Sequence, residues 1–178
     1  ETLQTSGHWG AVRVTPAKTA ITDVVVDGRI IESTGLDLVL EITPSDASGE
    51  AWYTRRYEGT ASRYSYDAKH AAGEPFQDVY NRIANDLAMY RAKLSADKVR
   101  ELRTISELKF AESFSPQAFG GYLETVRKGI TKITRLPAGN DPMLTRVRQI
   151  RERDGLFVDT LQDYYNGFAQ QMSAPYQD

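Results

Sequence analysis

The chain has 178 residues and sets 22 lysines and arginines against 24 aspartates and glutamates, a formal charge of −2. That is the size of one ordinary domain with its own core, and the balance of charge supplies no global field to steer it toward nucleic acid or an anionic membrane. The absence of cysteine excludes disulfides, thiolate zinc sites, iron–sulfur clusters and a cysteine nucleophile, and the longest apolar stretches, such as Val24 to Val26 and Leu38 to Leu40, fall far short of the roughly 20 residues of a spanning helix.

Thr2-Leu3-Gln4-Thr5-Ser6-Gly7 reads as the last turn of a helix with Gly7 at its C′ position, an expectation that places more chain before Glu1 and leaves open whether it includes a signal peptide or lipid anchor. Strand chemistry follows over Trp9 to Pro16, Asp23 to Ser33, Leu36 to Thr43 and Ala51 to Ser62. In the third run Leu36, Leu38, Leu40 and Ile42 alternate with Asp37, Val39, Glu41 and Thr43, the period of a half-buried antiparallel strand, and Pro44 marks its end. Thr34-Gly35 and Ser45 to Glu50 are turn-forming, so the last three strands are expected to form a meander. Arg63 to Glu74 is read as the connection between a sheet region, 1–62, and a helical region, 75–178, of one α+β domain.

From Pro75 the apolar period becomes helical. Phe76, Val79, Tyr80, Ile83, Leu87, Tyr90 and Leu94 share one face of a first helix. Ser95 is placed to cap a second that turns Val99, Leu102, Ile105, Leu108, Ala111 and Phe114 inward. Ser115-Pro116 repeats the start signal before Phe119 to Leu136, read as a helix weakened by Gly120, Gly121 and Gly129, each costing about 1 kcal/mol relative to alanine. Asp141-Pro142 opens a long helix carrying Leu144, Val147, Ile150, Phe157, Leu161, Tyr165, Phe168 and Met172, with a kink or break expected at Gly155.

Few residues are arranged for chemistry. The two histidines, His8 and His70, form no metal-ligand pair, and the chain has no nucleophile elbow, P-loop or dinucleotide fingerprint. Tyr64, Asp67 and His70 gather hydroxyl, carboxylate and base in one loop, but a polar connection meets such a pattern by chance and no second half of a site accompanies it. Glu101, Glu107 and Glu112 are read as solvated helix-surface carboxylates. The basic run Arg146, Arg148, Arg151 and Arg153 is interleaved with acids, with Arg148 expected to pair with Glu152 at i,i+4. No catalytic, metal or cofactor-binding residue and no cofactor are assigned. The partner-binding candidates are Trp52, Tyr53, Arg55, Arg56 and Tyr57, where large aromatics and arginines alternate on a strand expected at a sheet edge; the competing reading keeps those aromatics under the domain's own helices.

Trp9 to Val14 leading to Pro16, then Asp23 to Ser33, resembles uncharacterised proteobacterial cell-envelope lipoproteins, and the likeness continues through Asp46 to Gly49, Trp52, Arg55 to Gly59 and Phe76 to Leu87. More coarsely, the strand pattern between Leu3 and Leu94 is similar to the small α+β domains of curli-secretion lipoproteins and the amino-terminal domain of TolB-like proteins. The resemblance implies a compartment, the periplasm with outer-membrane association, and no catalytic motif. It also implies that a strand and most of a helix precede this chain; the family's lipid-attachment cysteine has no counterpart among these residues. The leading expectation is therefore a non-enzymatic envelope interaction or assembly protein, binding another envelope protein or itself through the carboxy-terminal helices. The alternatives are a hydrolase of an envelope polymer and a module that binds a lipid or peptidoglycan fragment in an apolar pocket between sheet and first helix.

Overall fold

The computed structural model describes residues 2–15, 21–62 and 74–173, with side chains through residue 168. The fold is α+β, with a three-stranded antiparallel sheet, helices after it, and a second, two-stranded sheet between the later helices. Residues 63–73 of the expected connection Arg63 to Glu74, with Tyr64, Asp67 and His70, lie outside the described residues.

A single helical turn, α1 (Thr2–Thr5), ends as its sequence predicts, with Gly7 at φ +68°, where a residue without a Cβ carries no steric penalty. Strands β1 (Val24–Ser33), β2 (Asp37–Asp46) and β3 (Arg55–Thr60) form a meander in that spatial order. Trp9 to Thr15 does not join it. The Trp9 indole instead stacks on Trp52, and Arg13 reaches the last helix, so the segment is held by side chains rather than by a ladder.

Pro44 does not end β2, which runs on to Asp46 with Pro44 opposite Val26 of β1. What the proline interrupts is the other side. In the β2–β3 register Ile42 stands opposite Arg55, which would put Tyr53 opposite Pro44, and proline has no N–H to offer there. The ladder stops at Arg55 and resumes only as a bridge between Ser45 and Ala51, while Trp52 N–H donates to the Pro44 carbonyl at 2.8 Å. The strand expected over Ala51 to Ser62 is thus shortened to β3.

Helix α2 (Gln77–Ala92) lays the predicted face on the sheet: Val79, Ile83 and Leu87 are buried against Ile42, Trp52 and Tyr57. It packs tightly on β3 at Gly59, where a Cβ would stand 2.3 Å from Val79 Cγ2. Ser95 caps α3 (Ala96–Phe114) as expected, accepting from Lys98 N–H at 3.1 Å. Leu102, Ile105, Leu108 and Ala111 turn inward, but Phe114 at the helix end is exposed.

The largest departure from expectation lies between Phe119 and Leu136. Only the turn α4 (Pro116–Phe119) is helical; the rest is a hairpin of β4 (Leu123–Thr125) and β5 (Thr131–Ile133) around a 3₁₀ turn, Arg127–Gly129. Gly121 at φ +88° ends the helix, Lys128 and Gly129 take the positive φ that the turn requires, and β-branched Thr125, Val126, Ile130, Thr131 and Ile133 suit the strands. Thr131 N–H donates to the Ser48 carbonyl at 2.7 Å, fastening the hairpin to the loop after β2.

Helix α5 (Pro142–Ser173) buries Leu144 and Val147 against Leu108, Ala111 and Phe119 in a second apolar cluster. It passes Gly155 without a break. The missing Cβ there instead makes room for the Arg13 guanidinium, whose Nη2 would lie 3.0 Å from one, and Arg13 pairs with Asp159 at 2.6 and 2.8 Å.

Candidate interaction surfaces

The run from Trp52 to Tyr57 sits beside the edge of the three-stranded sheet, but Trp52 and Tyr57 face inward. Trp52 is 7% exposed, stacked on Tyr90 with ring centroids 4.7 Å apart, and its Nε1 donates to buried Asp46 at 3.3 Å. The same carboxylate accepts from Ser48 N–H at 2.9 Å and Ser48 Oγ at 2.5 Å, so the loop after β2 is wound around it. Tyr57 is 3% exposed and donates to Asp86 Oδ2 at 2.7 Å; burial first, and that carboxylate next, push its hydroxyl well above the ordinary tyrosine range. Burial likewise raises Tyr53, whose ring is half-buried under the Arg55 guanidinium.

Arg55 and Arg56, with Thr54, are the exposed part of the run. Each arginine has a partner in the chain: Arg55 Nη1 reaches Asp86 at 2.5 Å and Arg56 Nε reaches Glu58 at 2.8 Å. Arg82 of α2 donates to the Glu58 carbonyl, covering part of the β3 edge in the way native sheets blunt their edges.

The basic run of α5 also reaches other elements at two positions. Arg148 does not pair with Glu152; it clasps Glu107 of α3 through Nε and Nη2, the latter at 3.0 Å, because an inter-helix carboxylate lies within reach of both donors. Arg151 donates to Ser106 Oγ at 2.6 Å and to the Ile21 carbonyl at 3.3 Å, tying α5 to α3 and to the residues before β1. Lys98 holds Glu101 at 3.1 Å. A cleft of about 1200 Å³ opens between the amino-terminal segment, β1, α2, α3 and α5, and its walls mix Val24, Trp52 and Leu87 with Arg13, Arg103 and Arg151. No cluster of three His, Cys, Asp or Glu able to hold a metal occurs among the described residues.

Among the described residues, a run of accessible large apolar side chains lies on α5. Leu156, Phe157, Leu161, Tyr164, Tyr165 and Phe168 are 52–75% exposed. At 100° per residue, Phe157, Leu161, Tyr164 and Phe168 fall within about 60° of arc, with Tyr165 flanking them. The sequence spacing sets Phe157, Leu161, Tyr165 and Phe168 on the helical step of core residues, and the structure adds Tyr164 to them. In the fold, the α3–α4–β4 cluster that covers Leu144 and Val147 does not extend this far along the helix. The chain matches no protein-family model, no curated protein and no solved structure.

Proposed function

We propose that this chain is a non-enzymatic interaction or assembly protein of a bacterial cell envelope, acting in the periplasm near the outer membrane, with the far half of α5 as its contact surface. The observation that carries the reading is the stripe of Phe157, Leu161, Tyr164 and Phe168 on successive turns, each more than half exposed. Contiguous apolar surface of this kind is costly to leave in water and marks a site of association, and aromatic side chains are enriched at interface cores. The compartment rests on the sequence resemblance alone. Arg55 and Arg56, on the sheet edge, are a secondary contact in this reading.

The test is capture of the intact protein from envelope fractions beside its Leu161→Glu variant, with folding checked by circular dichroism. The variant should lose the species that co-purify in fixed proportion with the wild type, while Arg55→Glu with Arg56→Glu should lose fewer. An identical set of associates in all three proteins would sink the reading.

A second reading, a module for a lipid or peptidoglycan fragment, is favoured by the 1200 Å³ cleft beside β1 and α2. Its size exceeds that of an ordinary small-ligand pocket, and its apolar wall carries arginines suited to an anionic group. Protection of Trp9 and Trp52 fluorescence from quenching by added fragments would support it, and unchanged quenching at saturating fragment would remove it.

A further inference from the structure

Resting on the reading of α5 as the contact surface, we propose that its occupant is a second copy of this chain, the two α5 helices lying antiparallel across their exposed stripes. The stripe residues Phe157, Leu161, Tyr164 and Phe168 are spaced by four, three and four positions, a sequence of steps that is the same in either direction. A twofold axis at the middle of the stripe therefore places Phe157 opposite Phe168 of the other copy and Leu161 opposite Tyr164. Such a surface is self-complementary, as an isologous interface requires. The antiparallel course also sets the folded body at the start of each α5 beside the far end of the other helix, so the bodies do not compete for the same space.

Charge points the same way. No lysine or arginine follows Arg153, and the far half of the helix carries only Asp154, Asp159 and Asp163. Helices that bind anionic membranes or nucleic acid need a basic polar face, which is missing here. At 100° per residue Asp159 and Asp163 lie more than about 120° round the helix from the centre of the stripe, and Asp159 is held by Arg13, so neither acid enters the paired face.

The area is also adequate. Phe157, Tyr164, Tyr165 and Phe168 are 61–75% exposed, and an aromatic side chain carries about 150–250 Å², so the four rings offer roughly 400–700 Å² per copy. With Leu161 added, this approaches the about 800 Å² that each partner contributes to a standard stable interface.

The test uses the purified chain alone. Sedimentation equilibrium at micromolar concentration should return twice the chain mass of 20.0 kDa, and Leu161→Glu should return the single mass with unchanged helical content. Because the chain has no cysteine, Phe157→Cys and Phe168→Cys can be introduced in separate copies, mixed and oxidised. The antiparallel pair predicts a disulfide between positions 157 and 168, and little between two copies of position 157, which would lie about 16 Å apart along the axis. A dominant bond between two copies of position 157 means a parallel pair and overturns the proposal. So does a wild-type chain that stays at the single mass. If that monomeric chain still loses its envelope associates on Leu161→Glu, the contact surface stands and a different protein occupies it; if those associates are unchanged as well, both readings fall. Binding of the wild type to vesicles containing anionic lipid, abolished by Leu161→Glu, would also overturn it.

Discussion

Gly59→Ala is expected to destabilise the fold through one atom pair. The new Cβ would stand 2.3 Å from Val79 Cγ2, more than 1 Å inside the 3.5–4.0 Å at which carbon atoms attract. Val79 is 1% exposed and β-branched on a helix, so its χ1 is held and it cannot swing aside. Overpacking of this kind costs about 1–3 kcal/mol, which outweighs the roughly 0.4–1 kcal/mol gained because alanine restricts the unfolded chain. For a protein of this size each kcal/mol moves the thermal midpoint by about 2–4 °C. The decisive comparison is Gly59→Ala in a Val79→Ala background. With Cγ2 gone, the nearest remaining atoms are Phe76 Cδ1 at 3.6 Å and Val79 Cβ at 3.8 Å, ordinary contact distances. Val79→Ala by itself should cost roughly 2 kcal/mol of lost burial. Adding Gly59→Ala to it should then be neutral or stabilising, a coupling of about 1–3 kcal/mol read from urea midpoints followed by circular dichroism. An equal cost of Gly59→Ala in both backgrounds would refute the close packing of α2 on β3.

Three further outcomes are expected. Asp46→Ala removes the acceptor shared by Ser48 and the Trp52 indole, and should lower stability by about 1–3 kcal/mol with a change in tryptophan emission; a variant as stable as wild type in urea would contradict the buried network. Arg151→Ala strips the hydroxyl of fully buried Ser106 of its donor and should cost about 1–3 kcal/mol, whereas Arg151→Ala combined with Ser106→Ala should recover part of the loss, measured as a double-mutant cycle. Tyr57 is held above the ordinary tyrosine value of 10.0, so the fold favours its neutral hydroxyl. Its contribution is fully present below that pH and is lost as pH rises beyond it, and Tyr57→Phe should flatten the alkaline decline of the urea midpoint, with identical wild-type and variant profiles as the contrary result.

The amino-acid sequence determined most of what local pattern can encode. The strand at Leu38 to Ile42, the helical face of α2, most of that of α3, the Ser95 cap, the Gly7 stop and the Asp141-Pro142 start appear as read, because propensity and capping agree at those positions; Val39, on the polar side of the period, is buried as well and Phe114 is not. Where they disagreed, tertiary structure decided. Between Gly121 and Thr134 the choice between a weakened helix and a hairpin turned on three positive-φ residues and on an anchor supplied by Ser48, more than seventy positions earlier, which no local window contains. Trp9 to Thr15, with strand-forming residues, joins no ladder among the described residues, and contacts with Trp52 and Asp159 position it instead. The same reason governs the surfaces. Trp52 and Tyr57 carry the composition of an interface but are covered from α2, where Tyr90 stacks on Trp52 and Asp86 accepts from Tyr57, while Phe157, Leu161 and Phe168 carry the spacing of a core but lie beyond the elements that bury the start of α5. Spacing specifies that a helix has an apolar face; what covers that face is decided by where the rest of the chain ends up.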